Sequence, residues 1–218
     1  MNKKHIVIGL ICIFISIISG IITKDLLVGG TTLATGLLCA YFAGEGKRVN
    51  YIFGLINYVL MGYVSFKNNL FGIFFFYIFI FSPLQIHGYV SWKKNLDKDK
   101  NVKVREFNLK NSIIITLSCI VGSFILGYLL SLIPGQRLAI MDASSNCINL
   151  CGVILMILRF KESWWLWLAN NIIDLTIWVI TAMDRGSNSM MMLLVSLGYL
   201  LINIYGVIKW NMEAKKNN

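Results

Sequence analysis

The chain has 218 residues, of which 57% are hydrophobic and 14% charged, and it carries a formal net charge of +10. A soluble domain of this length needs far more charge to cover its surface, so the composition excludes a water-soluble globular fold. The basic surplus lies in short loops between apolar runs, where it sets membrane orientation rather than marking a nucleic-acid partner.

Taken in order, the apolar runs predict eight transmembrane helices, at about 5–23, 26–44, 50–66, 69–91, 111–132, 137–158, 164–182 and 188–209. The first is read as a retained span, because no small-residue cleavage motif follows Gly20. The second is the least apolar, diluted by the run from Gly29 to Gly36. Eight spans put both termini on one side. Sixteen of the 20 lysines and arginines then share that side, leaving Lys24, Lys67, Arg137 and Arg185 opposite. The positive-inside rule makes the terminal side cytoplasmic. The loop at 92–110 is the most hydrophilic stretch and reads as a solvated cytoplasmic linker.

The five cysteines, Cys12, Cys39, Cys119, Cys147 and Cys151, all fall inside apolar segments. Their spacing fits small buried residues rather than a disulfide or zinc framework. His5 and His87 lack partners at metal-ligand spacing. Nucleophile-elbow, zinc-protease and phosphate-loop motifs are missing too. No cofactor, metal or enzymatic activity is expected.

The chain resembles itself. With an offset of 114, Lys47 matches Lys161 and Asn57 matches Asn171; with an offset of 118, Gln85, Gly88 and Trp92 match Asn203, Gly206 and Trp210. Spans two to four therefore repeat as spans six to eight, with span five as connector. The expected fold is an all-α polytopic membrane protein with a 3+1+3 parallel-repeat core and one extra N-terminal helix. Its divisions are 1–25 for the extra helix, 26–92 for the first repeat, 93–136 for the loop and linker helix, 137–210 for the second repeat and 211–218 for the tail. Parallel repeats are a transporter plan, with substrate held between them near mid-membrane.

The candidate site centres on the seventh span. Trp164, Trp167, Asn171, Asp174 and Trp178 recur at i, i+3, i+7, i+10 and i+14, one stripe of a helix. Amides and a carboxylate in hydrocarbon need a partner or a wet cavity, so the stripe should face inward. Asn57 and Gln85 of the first repeat join it, as do Asp142 and Asn146 of span six and Tyr199 and Asn203 of span eight. Pro83, two residues before Gln85, should bend its helix. Trp92 and Trp210 end their helices beside lysines and read as interfacial anchors. Indole faces, amides and carboxylates together suit an aromatic polar solute, and a cationic ring gains from all three.

At Trp164, Trp167 and Asn171 the chain carries W-x-x-W-x-x-x-N, and at Gln85, Gly88 and Trp92 it carries Q-x-x-G-x-x-x-W. With GLIN at 54–57 and Asp142 upstream, it resembles the PnuC family of bacterial vitamin transporters over about residues 30–210. The resemblance implies a fold like the SWEET sugar transporters, a homotrimer in the inner membrane, and facilitated uptake of nicotinamide riboside with trapping by a cytosolic kinase. Deoxyribonucleosides, thiamine or riboflavin are the alternative substrates. Val153 stands where many nicotinamide riboside carriers are expected to have glutamine. A reading of another class is a receptor or assembly subunit without transport, its polar stripe a packing seam.

Overall fold

The structure, a computed structural model, describes residues 3–97, 101–107, 109–185 and 187–217. Lys98 and Lys100 of the long loop lie outside them. The described chain is helical: α1 (Lys3–Ile22), α2 (Leu26–Gly44), α3 (Asn50–Lys67), α4 (Phe71–Lys93), α5 (Leu109–Ser131), α6 (Ala139–Ile157), α7 (Ser163–Arg185) and α8 (Ser187–Asn217). In hydrocarbon a helix satisfies its backbone internally, which is why long apolar runs take this form. Seven of these helices are long and apolar enough to cross a membrane. The exception is α3, whose Asn50, Asn57 and Ser65 dilute its hydropathy; all three are buried.

Six helices close a ring. α2 packs on α3, α3 on α4, α4 on α6, α6 on α7, α7 on α8, and α8 returns to α2. α5 leans on α6 from outside and α1 on α2. Their outer faces expose Leu10, Phe14 and Ile21 on α1 and Leu117, Phe124 and Tyr128 on α5. Such faces belong in lipid.

Two local features shape the ring. The polar run in α2 is tolerated because α2 is interior: Thr32 and Thr35 donate their hydroxyls to Val28 O and Thr31 O, each at 2.7 Å. Side-chain bonds of this kind hide a hydroxyl within its own helix. In α4 the helix widens to a π-helical segment over Phe76–Phe81, just before Pro83. Proline has no N–H for the preceding turn, and a π turn absorbs that loss. Ser82 donates to Tyr77 O at 2.7 Å inside this wide turn.

Trp92 and Trp210 correct the expectation of interfacial anchors. Both are buried, at 0% and 1% exposure. Trp92 Nε1 donates to Met156 O at 3.0 Å, tying the end of α4 to the end of α6. Trp210 Nε1 donates to Ala43 O at 3.1 Å and to Gly44 O at 3.2 Å, tying α8 to the end of α2. The last carbonyls of a helix lack intrahelical donors, so a buried indole N–H and a helix C-terminus satisfy each other.

The long loop is no free linker either. Residues 101–107 form a strap across the end of the ring that carries the termini. Val102 N donates to Gly46 O at 2.9 Å, Arg105 N to Arg159 O at 2.8 Å, and Lys161 N to Arg105 O at 2.9 Å. Val102 and Val104 are buried, and Phe107 stacks on Phe160 at 3.9 Å. At the same end Lys4, Lys209 and Tyr205 converge on Glu45. Burial works against the Glu45 charge, but hydrogen bonds from Tyr205, Lys4 and Lys209 outweigh it and hold the carboxyl down at about 2.

Candidate functional site

The ring encloses a cavity of about 90 Å³ among α2, α3, α4, α6, α7 and α8. From α7 come Trp167, Asn170, Asn171 and Asp174; from α3, Asn57, Tyr58 and Met61; from α2, Cys39, Ala40 and Ala43. Tyr77 of the π turn, Asn149 of α6, and Tyr199 and Asn203 of α8 complete the wall. The chemistry is uneven. The α7 side is amide and carboxylate, whereas α2 and α3 supply mostly small, aromatic or sulfur-bearing groups.

Many of the polar side chains are held by neighbouring helices. Asn57 Nδ2 donates to Thr32 O at 2.8 Å, and its Oδ1 accepts from the Tyr199 hydroxyl at 2.9 Å, joining α2, α3 and α8. The hydroxyl lies where a Cβ on Gly36 would sit 2.3 Å away, so only glycine admits this contact. Asn203 Nδ2 donates to Trp167 O at 3.2 Å. The Asp174 carboxylate accepts from Ser145 Oγ at 2.5 Å and from Asn170 Nδ2 at 2.8 Å.

Two buried acceptors of the wall keep unused capacity. Asn171 Nδ2 donates to Ser196 O at 3.0 Å, and a carbonyl can only accept, so Oδ1 must be the atom left over. Asn170 Nδ2 faces a carboxylate, which fixes its orientation in the same way. Asn170 Oδ1 and Asn171 Oδ1 are both buried without a donor. A buried acceptor without a partner costs roughly 1–3 kcal/mol, so a donor-bearing guest recovers that energy. Trp167 stands beside them with its ring edge-on to Trp164 at 5.2 Å and its Nε1 against Gly152.

Six of the eleven residues expected from the sequence line this cavity: Asn57, Trp167, Asn171, Asp174, Tyr199 and Asn203. The other five stand outside its wall. Trp164 is fully buried toward the terminal end, against Trp210 at 6.0 Å and against Gly206, where a Cβ would sit 2.1 Å from its ring. Trp178 is buried in the core farther along α7. Gln85 lies in the α3–α4 contact, its Oε1 2.4 Å from a Cβ built on Gly54. Asp142 is fully buried at the far end of the ring, accepting from Gln136 Nε2 at 2.6 Å and from Asn146 Nδ2 at 2.7 Å. The Gly72 and Ile73 backbones also bond it, and Gln136 Oε1 accepts from Phe71 N at 3.1 Å. Asp142 from the first turn of α6 and Gln136 from the connection before it together cap the start of α4, as a side-chain cap does within one helix.

Cys39, Tyr58, Met61, Tyr77 and Asn170 line the cavity without any expectation from the sequence. Asn170 sits one turn before Asp174, and that i, i+4 spacing is the signal that could have found it. For Tyr77 no periodic signal exists, because the π turn shifts the helical register there.

Comparison with known proteins matches a family model described as nicotinamide mononucleotide transporter over residues 26–212. The chain belongs to this transporter family. Among its relatives, the nicotinamide riboside transporter PnuC of Neisseria mucosa is 28% identical, over 91% of this chain and 77% of that protein. The transporter of the same name from Haemophilus influenzae is 29% identical, over 84% of this chain and 79% of that one. The crystal structure of the vitamin B3 transporter PnuC superposes with a TM-score of 0.87 at 27% identity, covering 100% of this chain and 94% of that one. Membership makes this chain a multi-pass membrane transporter rather than an enzyme.

Proposed function

We propose that this protein carries nicotinamide riboside across the bacterial inner membrane, with both termini and the strap in the cytoplasm. The observation that carries the reading is the acceptor set at the cavity, Asn170 Oδ1, Asn171 Oδ1 and the Asp174 carboxylate beside the Trp167 indole. Nicotinamide riboside is a cationic ring bearing a carboxamide N–H₂ and ribose hydroxyls. It brings a positive charge that the wall lacks, donors for these acceptors, and a π-face for tryptophan. The names of the relatives agree with this substrate.

The two three-helix sets, α2–α4 and α6–α8, form a parallel repeat with α3 as an eighth span. The reading is supported by the exchange of equivalent contacts in the ring, α4 on α6 and α8 on α2, and by the paired bonds of Trp92 and Trp210. Rocking of the sets gives alternating access. Typical ligand pockets span about 300–1,000 Å³, so the 90 Å³ cavity must widen as substrate enters. A cytosolic kinase traps the product, and the protein assembles as a homotrimer. Thiamine, also a cationic aromatic, is the second substrate to test against this wall.

Purified protein in liposomes is tested for saturable uptake of labelled nicotinamide riboside, with thiamine, riboflavin and deoxyribonucleosides as competitors. Trp167→Ala should weaken binding about 100-fold, near the upper end of the ~1–3 kcal/mol measured for stacking on an aromatic side chain, and Asn171→Ala about tenfold, for loss of an amide hydrogen bond worth about 1.5 kcal/mol. Full uptake by both folded variants would sink the site, and absence of flux in the parent protein would sink the function.

A further inference from the structure

Between the strap and the ring lies a second, polar chamber of about 510 Å³. Its wall includes Glu45, Lys103, Arg105, Arg159, Trp210 and Glu213. It is separate from the substrate cavity. Trp167 borders the inner cavity and Trp210 the chamber, with Trp164 packed between them at 5.2 Å and 6.0 Å.

The strap joins the α6–α7 connection by two backbone bonds, and the side chains along this ladder are treated in opposite ways. Lys161 Nζ meets Glu106 at 2.5 Å. Arg105 and Arg159, whose backbones are bonded at 2.8 Å, have no carboxylate partner among the described residues. The Arg105 guanidinium is held 4.5 Å over the Phe160 ring, and Arg159 takes a left-handed backbone with φ 71°. Burial of the charge, and then the neighbouring Arg105, lower the Arg159 pKa. The chamber has three carboxylates: Glu45 is engaged by Lys4, Lys209 and Tyr205, Asp97 accepts from the Asn101 backbone N–H at 2.8 Å, and Glu213 is not free either.

We propose that this chamber binds a phosphomonoester dianion of nucleotide size, gripped by Arg105 and Arg159 with Lys103 beside them. Two planar guanidinium forks match the oxygens of one phosphate, and a dianion balances both positive charges where a single chloride balances one. The volume admits a nucleoside beyond the phosphate. On the proposed topology this end faces the cytosol, where phosphorylated nucleosides occur. A bound phosphate would tie the strap to the α6–α7 connection at the mouth of the ring.

The test uses the full chain purified in detergent and needs no transport. Melting temperature and calorimetric binding are measured with nicotinamide mononucleotide, adenosine monophosphate and inorganic phosphate, against chloride at equal ionic strength. The phosphomonoesters should raise the melting point and bind saturably. Arg105→Gln/Arg159→Gln should weaken that binding at least tenfold while nicotinamide riboside still binds the inner cavity. Because Arg105 also packs on Phe160, Arg159→Lys serves as the second variant; keeping charge but losing the fork, it should weaken binding severalfold. Equal response to chloride and phosphomonoester, or undiminished binding in both variants, overturns the proposal. So does stabilisation by phosphatidylglycerol vesicles alone, which would assign the arginines to a lipid headgroup.

Discussion

The two three-helix sets use the same packing devices and hold different chemistry. At the ends of α4 and α8, a tryptophan donates to the last turn of a helix in the other set. Gly88 receives the Tyr51 ring and Gly206 the Trp164 ring, each too close to admit a Cβ. Yet α6–α8 supply the carboxylate, four amides and the indole of the cavity wall, whereas α2–α4 supply one amide among tyrosine, methionine, cysteine and alanine. Scaffold contacts recur because any closed ring needs them. Site chemistry need not recur, because a guest without symmetry presents a different edge to each half.

The strongest test of the shared scaffold is Gly206→Ala beside Gly88→Ala. A Cβ would lie 2.1 Å from the Trp164 ring in one and 2.2 Å from the Tyr51 ring in the other. Both should lose about 2–3 kcal/mol of stability, the usual cost of overpacking, read as lower melting temperatures in detergent. A loss in only one would break the likeness.

The asymmetry is sharpened by Asp174→Asn. This change keeps the shape of the side chain and removes its charge, so affinity for nicotinamide riboside should fall roughly tenfold, about 1.4 kcal/mol, with the fold retained. Leu60→Ala, at the sequence-matched position outside the wall, should leave affinity unchanged. A neutral riboside should respond less to Asp174→Asn than the cation does.

A smaller effect is expected from Trp92→Phe and Trp210→Phe. Each deletes one indole N–H from a buried carbonyl, at about 1 kcal/mol, and the two losses should be similar in thermal melts. The smallest concerns Glu45, which lies at the α2–α8 seam. Its pKa is lowered from 4.5 to about 2, so its contribution is full above 4.5 and is lost as pH falls toward 2. The gap in melting temperature between the parent and Glu45→Gln should be constant from pH 8 to pH 5 and shrink below pH 4.5. A gap that grew on acidification would refute the sign.

The helices were legible from the sequence because their cause is local. Apolar runs of membrane length must satisfy their backbones as helices, and basic residues mark the ends. The α7 stripe was legible for the same reason: a spacing of 3.6 residues puts Trp167, Asn171 and Asp174 on one face whatever that face meets. Periodicity stops at naming a buried face. It cannot tell a void from a packed neighbour, so Trp164 and Trp178 share the stripe but not the cavity.

Only tertiary structure decided the rest. Asp142 caps a helix that begins seventy residues earlier in the chain, a bond set by how α4 meets α6. Tyr77 reaches the wall through a π turn that breaks the helical period. The polar loop after α4 offers only Val102 and Val104 as apolar residues at strand spacing, too short a signal against its charge. What makes it a strap is the set of backbone partners at Gly46 and Arg159. Composition and period determined the membrane, the helices and one polar face. Contacts between residues distant in sequence decided which side chains meet the cavity, because those depend on helix packing and not on any spacing along the chain.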